Sequence, residues 1–457
     1  MRDKKDKLLL KEIDLSFITD NLEDILTKAL TVIAISFPAI ELICTMLGYP
    51  NLLMHTLLRT IGYVGFTFLL IVFLNNKKHK MVLSDMLILL STLFTILSVV
   101  FSLDIDSSIA GASVDLAEDF GQVIGYYVIF FAATHVIKAD NKKLIMIGML
   151  IASLLHTIPA ILQRFGIWPW ELYEADEFPV AYGLTPHHNF YGGIAVIFSA
   201  LTAMIYITKK TKKYITWYIY AVICFVTALF SSSRLAWVGL IAYLCFIICI
   251  EIYAKKKKAM TSISIKRYGV LLVTFAAVFV AFYFFDKGIS SQIAESTNEI
   301  ANKEVASLGT GRMEIWMIGL YGVKNHLLTG LGLDNYIYAY ELYPGENLWY
   351  PAIKGHNEYI HTLVTQGLPA LAVYLILCGF VVALSCKRLF DKEEDQIEKA
   401  IIYILLIVIV GYFCQAMFNS SVTTVAPYKW LVMGLLLPRC KQKELKCLRK
   451  KRNEDEE

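Results

Sequence analysis

Four short segments carry side chains able to do chemistry. In GTGRMEIW (309–316), Arg312 follows a flexible Gly-Thr-Gly turn at the expected start of a helix. A guanidinium offers two parallel donors to a phosphate, and the free N–H groups of a helix N-terminus address the same anion. In SSSRLAWVG (231–239), Arg234 comes directly after a run of hydroxyls. GHNEYIH (355–361) places His356 and Asn357 side by side with His361 about one turn further on. GLTPHHNFYGG (183–193) adds His187, His188 and Asn189. Histidine exchanges protons near neutral pH, so these segments together hold cations for an anionic leaving group and bases for an acceptor hydroxyl.

Each segment has a plainer alternative. Arg234 suits a snorkelling interfacial arginine, Arg312 a solvated partner of Glu304 or Glu314, and an interfacial histidine a structural role. Scarcity of other cations at the same helix ends, and the recurrence of histidine in two segments, favour chemistry. Histidines gathered near one surface would also suit zinc, but no HExxH or regular ligand spacing occurs, and no metal or cofactor is assigned. The acidic stretch ELYEADEFP (171–179) is the alternative place for a divalent ion. Glu41, Arg59 and Asp85 lie in or near apolar blocks but close enough to helix ends to reach the interface.

Composition says what scaffold must hold these residues. The chain has 457 residues, 57% hydrophobic and 18% charged, with a mean hydropathy of +0.56. Those values exclude an ordinary soluble globular protein and a disordered chain. The net charge of +4 is too small to imply nucleic acid. Of the nine cysteines, most lie inside apolar blocks (Cys44, Cys224, Cys245, Cys249, Cys378, Cys414), the pattern of packed thiols.

The apolar residues run in blocks of about twenty, which gives about twelve spans. They begin near Lys28, Leu53, Met81, Phe120, Leu144, Asn189, Ile215, Leu235, Tyr268, Tyr359, Ala400 and Ala426. The last block, Ala426 to Leu437, is short and suits a half-span or a tilted, buried helix. Lys and Arg concentrate in alternate connections: NNKKHK (75–80), KADNKK (138–143), KKTKK (209–213), AKKKKAM (254–260) and 386–399. The positive-inside rule then places both termini in the cytoplasm and the four chemical segments outside. The expected organisation is a cytoplasmic lead-in (1–27) without a cleavage site, spans 1–9 (28–286), an extracytoplasmic helical loop (287–358), spans 10–12 (359–438) and a basic cytoplasmic tail (439–457). The fold class expected is an all-α polytopic membrane protein.

The long loop contains Trp316, Trp349 and six tyrosines, too rich a content for a passive linker. It reads as two helices around the SLGTG turn, the second placing Ile315, Ile318 and Leu320 to Val323 toward the membrane or core, followed by a glycine-punctuated GLGLDNY turn. No nucleotide-activated donor is supplied outside the membrane. An outward-facing synthetic reaction must therefore take its activated donor from the lipid itself.

The chain resembles the bacterial O-antigen ligase and polymerase family, multi-pass glycosyltransferases acting on undecaprenyl-pyrophosphate-linked glycans at the outer leaflet. The carriers are GLTPHHNFYGG, SSSRLAWVG, GTGRMEIWMIGLYGVKNHLLTGLGLDNY and GHNEYIHTLVTQGLPALAVYL, from about Gly183 to Tyr374. The resemblance implies a GT-C-like membrane enzyme in which Arg234 and Arg312 bind the donor pyrophosphate and His356 is the base. His188, Asn189, Asn357 and His361 become candidate further substrate contacts. It implies metal-independent inverting transfer to a glycan, lipid or protein acceptor in the bilayer. The chain departs from the family pattern at Leu327, where proline is usual, at Ala370, where glycine is usual, and before the fourth span, where Asp115, Glu118 and Asp119 replace an arginine. A twelve-span transporter or flippase, or a noncatalytic assembly subunit, is the rival reading. The polar residues crowd at one surface, and the spans lack the two-half symmetry of a transporter.

Overall fold

A computed structural model describes residues 21–48, 52–75, 81–112, 116–170, 180–259, 261–302, 311–345 and 351–438. Among these residues the regular elements are helical, apart from an isolated bridge between Thr208 and Ile263. Among the described residues, nine helices are long and apolar enough to cross a membrane. They are α1 (Leu22–Leu47), α2 (Leu53–Val72), α3 (Leu83–Val100), α6 (Ala139–Arg164), α7 (His188–Ile207), α9 (Arg234–Lys256), α10 (Ile265–Phe285), α14 (Glu358–Leu389) and α15 (Gln396–Gln415). Between them come the short α4 (Ile105–Ala110), then α5 (Phe120–Thr134), α8 (Tyr214–Phe230), α11 (Lys287–Asn302), α12 (Arg312–Gly322), α13 (Tyr338–Leu342) and α16 (Ala426–Leu436).

Of the about twelve spans expected, nine are candidate spans by length and composition, and the others are shorter apolar helices. Every block read from the sequence is a helix, but α5, α8 and α16 have only 15, 17 and 11 residues. A bilayer core of about 30 Å needs about 20 helical residues, so α5 and α16 are short for it, while α8, at 17, lies at the lower end of the range. Helices α5 and α16 are buried along nearly their whole surface and pack on each other, with Tyr127 and Phe130 meeting the edge of Trp430 at 5.2 and 5.9 Å. They are interior helices, so apolarity on every side reports protein packing as well as lipid.

The bundle has two distinct ends. Helices α9 and α14 both start next to the candidate chemical segments, at Arg234 and Glu358, and both finish at lysine-rich connections, where the Tyr253 and Phe390 rings lie 4.9 Å apart. At the first end, residues 311–345 pack against α14 around a small second core of Ile315, Ile318, Val323, Leu331, Tyr336 and Val364. Ile315 and Ile318 of α12, with Val323 just after it, face this core, whereas Leu320 and Tyr321 are on the outer side of the helix.

A break in α14 fastens this layer. Gly367 has φ 85°, and Pro369 has no N–H to give to the Thr365 carbonyl. The carbonyls of Val364 and Thr365 instead accept from the Leu331 and Gly332 amides at 2.8 and 3.0 Å, and the Leu368 amide donates to the Leu327 carbonyl at 2.7 Å. A Cβ at Gly367 would lie 2.7 Å from the Leu328 carbonyl, so only glycine fits the break.

Candidate active site

Residue His356 lies in the connection 355–357, immediately before α14. Its backbone is in the left-handed region, φ 44°, which a residue with a Cβ adopts only when its surroundings impose it. Three contacts impose it. The Gly355 carbonyl accepts from Trp316 Nε1 at 2.9 Å, the Gly355 amide donates to His361 Nδ1 at 3.3 Å, and the His356 amide donates to Ser420 Oγ at 2.9 Å. The Nδ1 atom of His356 has no hydrogen-bond partner among the described residues. Burial, followed by the nearby Arg312 guanidinium, pushes its pKa down from 6.5 to about 4, so the imidazole is neutral at pH 7.

Trp316 stands four residues after Arg312, one turn along α12. The helix that presents the guanidinium is thus the helix that holds the histidine loop. Gly311, at φ 81°, supplies the left-handed entry to α12.

Residues His187 to Asn189 form the next part. His187 caps α7, its Nδ1 accepting from the Asn189 amide at 3.1 Å, and its ring lies 4.2 Å from that of His188. Burial first, then His188, His356 and Arg312, pushes the His187 pKa down to about 3. The segments of His187, Arg312 and His356 thus lie close together, Trp316 tying the Arg312 helix to Gly355 beside His356. Arg234 joins through its neighbour: the Ser233 hydroxyl donates to Asn189 Oδ1 at 2.9 Å, and His188 Nδ1 meets the Ser231 carbonyl at 2.8 Å. Ser232, between them, is also left-handed, at φ 49°.

Several expected substrate contacts are occupied structurally. Asn357 caps α14, its Oδ1 accepting from the Tyr359 and Ile360 amides at 3.0 Å each. His361 is buried, stacks on Tyr336 with centroids 5.5 Å apart, and spends Nδ1 on the Gly355 amide. The side chains of His188 and Asn189 bind the 231–233 turn. One side-chain atom of each of these four residues is thus engaged in shaping the site. Of the low-weight charges, Arg59 pairs with Asp119 at 2.8 Å and Asp85 accepts from the Val82 amide that precedes its helix. The acidic stretch 171–179 and the SLGTG turn up to residue 310 fall outside the described residues.

Sequence reasoning missed the connection after α15. Asn419 donates to the Asn189 carbonyl at 3.0 Å, and its own Oδ1 accepts from the Ser420 amide at 3.0 Å. The two histidine segments are joined by this pair, which sits in an uncharged FNSSVTT stretch with no chemical signature. Lys354 was missed as well. It is buried, with Nζ 3.0 Å from Glu118 and 3.6 Å from Asp334. Burial opposes its charge, but the two carboxylates outweigh that and hold its pKa above 10.5. Ser421 also bonds Glu118, so the triad anchors both chain segments that flank His356.

Deeper in the bundle, Glu358 accepts from Tyr374 and Tyr412 hydroxyls at 2.6 and 2.7 Å and pairs with Lys429. Glu118, Asp334, Glu358, His361 and Lys429 line a small polar cavity of about 60 Å³ behind the site. Among the described residues, no three His, Cys, Asp or Glu side chains form a group arranged to hold a metal ion.

A search of curated proteins gives no significant match. A family model described as O-antigen ligase matches residues 219–375, from α8 to the first half of α14. That stretch includes Arg234, Arg312 and His356 and leaves His187, Asn189 and Asn419 outside. In this multi-pass membrane bundle, the similarity to the O-antigen ligase family therefore rests on residues 219–375.

Proposed function

We propose that the protein is a GT-C-like glycosyltransferase that transfers, or polymerises, an undecaprenyl-pyrophosphate-linked oligosaccharide onto an acceptor at the outer face of the cytoplasmic membrane. The observation that carries this reading is the joining of the Arg312 helix to the His356 loop through Trp316 and Gly355. Arg312 and Arg234 clamp the two phosphates of the donor, and the N-terminal amides of α12 add to the clamp. His356, neutral and with Nδ1 uncommitted, takes the proton of the acceptor hydroxyl. The acceptor oxygen forms its bond to the anomeric carbon from the face opposite the diphosphate. As that bond forms, the carbon–oxygen bond to the diphosphate breaks and its electron pair leaves on the polyprenyl diphosphate, which inverts the centre. Guanidinium groups carry the charge stabilisation that a divalent cation supplies elsewhere, so the reaction proceeds without metal.

The test is glycan transfer by reconstituted protein, comparing wild type with Arg312→Ala and His356→Ala variants that insert normally, with and without chelator. Loss in both variants with no chelator effect is the expected result. Retention in both overturns the mechanism and favours transport or an assembly role.

A further inference from the structure

The opposite end of the bundle holds a cavity that the transfer chemistry does not use. It measures about 830 Å³ and lies between the last turns of α9 and α14 and the first turn of α15. Its rim carries Lys257, Lys258, Lys387, Lys392 and Lys399, and no carboxylate lines it. Its floor is apolar, built from Phe246, Ile250, Leu389 and Phe390.

Three of the nearby acids are already engaged, and Asp391 and Glu393, on either side of Lys392 in the chain, do not line the cavity. Glu394 and Glu398 accept from Arg388 at 3.1 and 3.0 Å, Glu398 also pairs with Lys142, and Asp395 caps α15. None of the five rim lysines forms an ion pair among the described residues; Lys257 only lies over the Tyr253 ring, at 5.7 Å. Lys399 is the most buried of the five, at 8% exposed, and its side chain makes no hydrogen bond or ion pair within the described residues. Five ammonium groups gathered around one cavity without a counter-charge repel one another, and the cavity is large enough to admit an anion.

A cationic rim over an apolar floor, where helices end at a membrane surface, suits an amphiphile and not a free ion. We infer that this cavity binds an anionic phospholipid, its phosphates on the lysines and its acyl chains along the floor. A lipid with two phosphates offers more than one anion to the five lysines. The inference is independent of the reading of the other end.

The experiment titrates diphosphatidylglycerol into the full-length protein in zwitterionic micelles, with bound lipid counted by native mass spectrometry. Saturable binding of one lipid is expected for wild type, with binding roughly 100-fold weaker for Lys387→Gln/Lys392→Gln/Lys399→Gln. Two exposed lysines of α9 outside the cavity serve as the control, and Lys255→Gln/Lys256→Gln is expected to bind as wild type does. Unchanged melting in zwitterionic micelles, and restored affinity in the arginine triple variant, separate lost binding from lost fold. Should the triple variant not fold, the exposed pair Lys387→Gln/Lys392→Gln carries the same comparison. Equal weakening in the control overturns the proposal in favour of diffuse surface charge. Displacement of the lipid by an equal concentration of inorganic diphosphate overturns it in favour of a free anion. A requirement to remove residues 439–457 before lipid binds overturns it in favour of the chain's own acidic NEDEE terminus.

Discussion

The indole nitrogen of Trp316 donates to the Gly355 carbonyl at 2.9 Å, and this one bond couples the helix of Arg312 to the backbone of His356. The histidine's left-handed backbone leaves little slack, so the position of its ring depends on the bonds on either side of it.

Replacing Trp316 with Phe keeps most of the packing and removes the donor. The Gly355 carbonyl is then left short of a partner, a loss of about 1–3 kcal/mol. Transfer assays are expected to show kcat reduced roughly 10-fold or more with KM little changed, because a misplaced base affects the transition state more than donor binding. An equal rise in KM with kcat intact would instead assign Trp316 to binding.

The acid limb of kcat/KM tests the base assignment. The folded value of His356, about 4, lies below the ordinary 6.5, so the unfolded chain binds more protons between those values. Its contribution to stability is therefore complete above pH 6.5 and is lost as pH falls through 4. Removing the cation in Arg312→Ala raises the pKa of His356, and the acid limb of whatever activity remains is expected to move to higher pH. A limb that stays in place in this variant means that another group titrates.

Arg312→Lys keeps the charge but gives up the fork that matches a diphosphate. Activity is expected to fall roughly 10-fold or more, measured with donor at saturation and below it. Full activity would mean that Arg312 acts only as a diffuse charge.

The Lys354 triad predicts a stability effect. Lys354→Met leaves Glu118 and Asp334 buried without their cation, a loss of about 3–5 kcal/mol. A melting curve in detergent is expected to shift downward, and the triple variant that also carries Glu118→Gln and Asp334→Asn is expected to recover part of the shift. No shift for Lys354→Met would show that the carboxylates find other compensation.

Asn419→Ala tests the tie between the histidine segments. It removes bonds to the Asn189 carbonyl and the Ser420 amide, at about 1 kcal/mol each. Reduced transfer, with Arg234→Ala no longer adding its full separate effect, is the expected outcome of a double-mutant cycle.

What the chain declares on its own follows from periodicity, length and charge. Apolar blocks of membrane length specify helices because backbone polar groups within lipid have no other partners. The histidine and arginine segments were legible because polar residues at helix ends stand out against so apolar a background. Three things needed the tertiary structure. Interior helices such as α5 and α16 look like spans, since burial in protein and burial in lipid select the same residues. The structural duties of Asn357 and His361 depend on neighbours: an N-cap and a ring stacked on Tyr336 have no signature separate from that of a substrate contact. Asn419, Ser420 and Lys354 were silent because their partners, Asn189, His356, Glu118 and Asp334, are distant along the chain or chemically unremarkable, and only packing brings them within bonding distance.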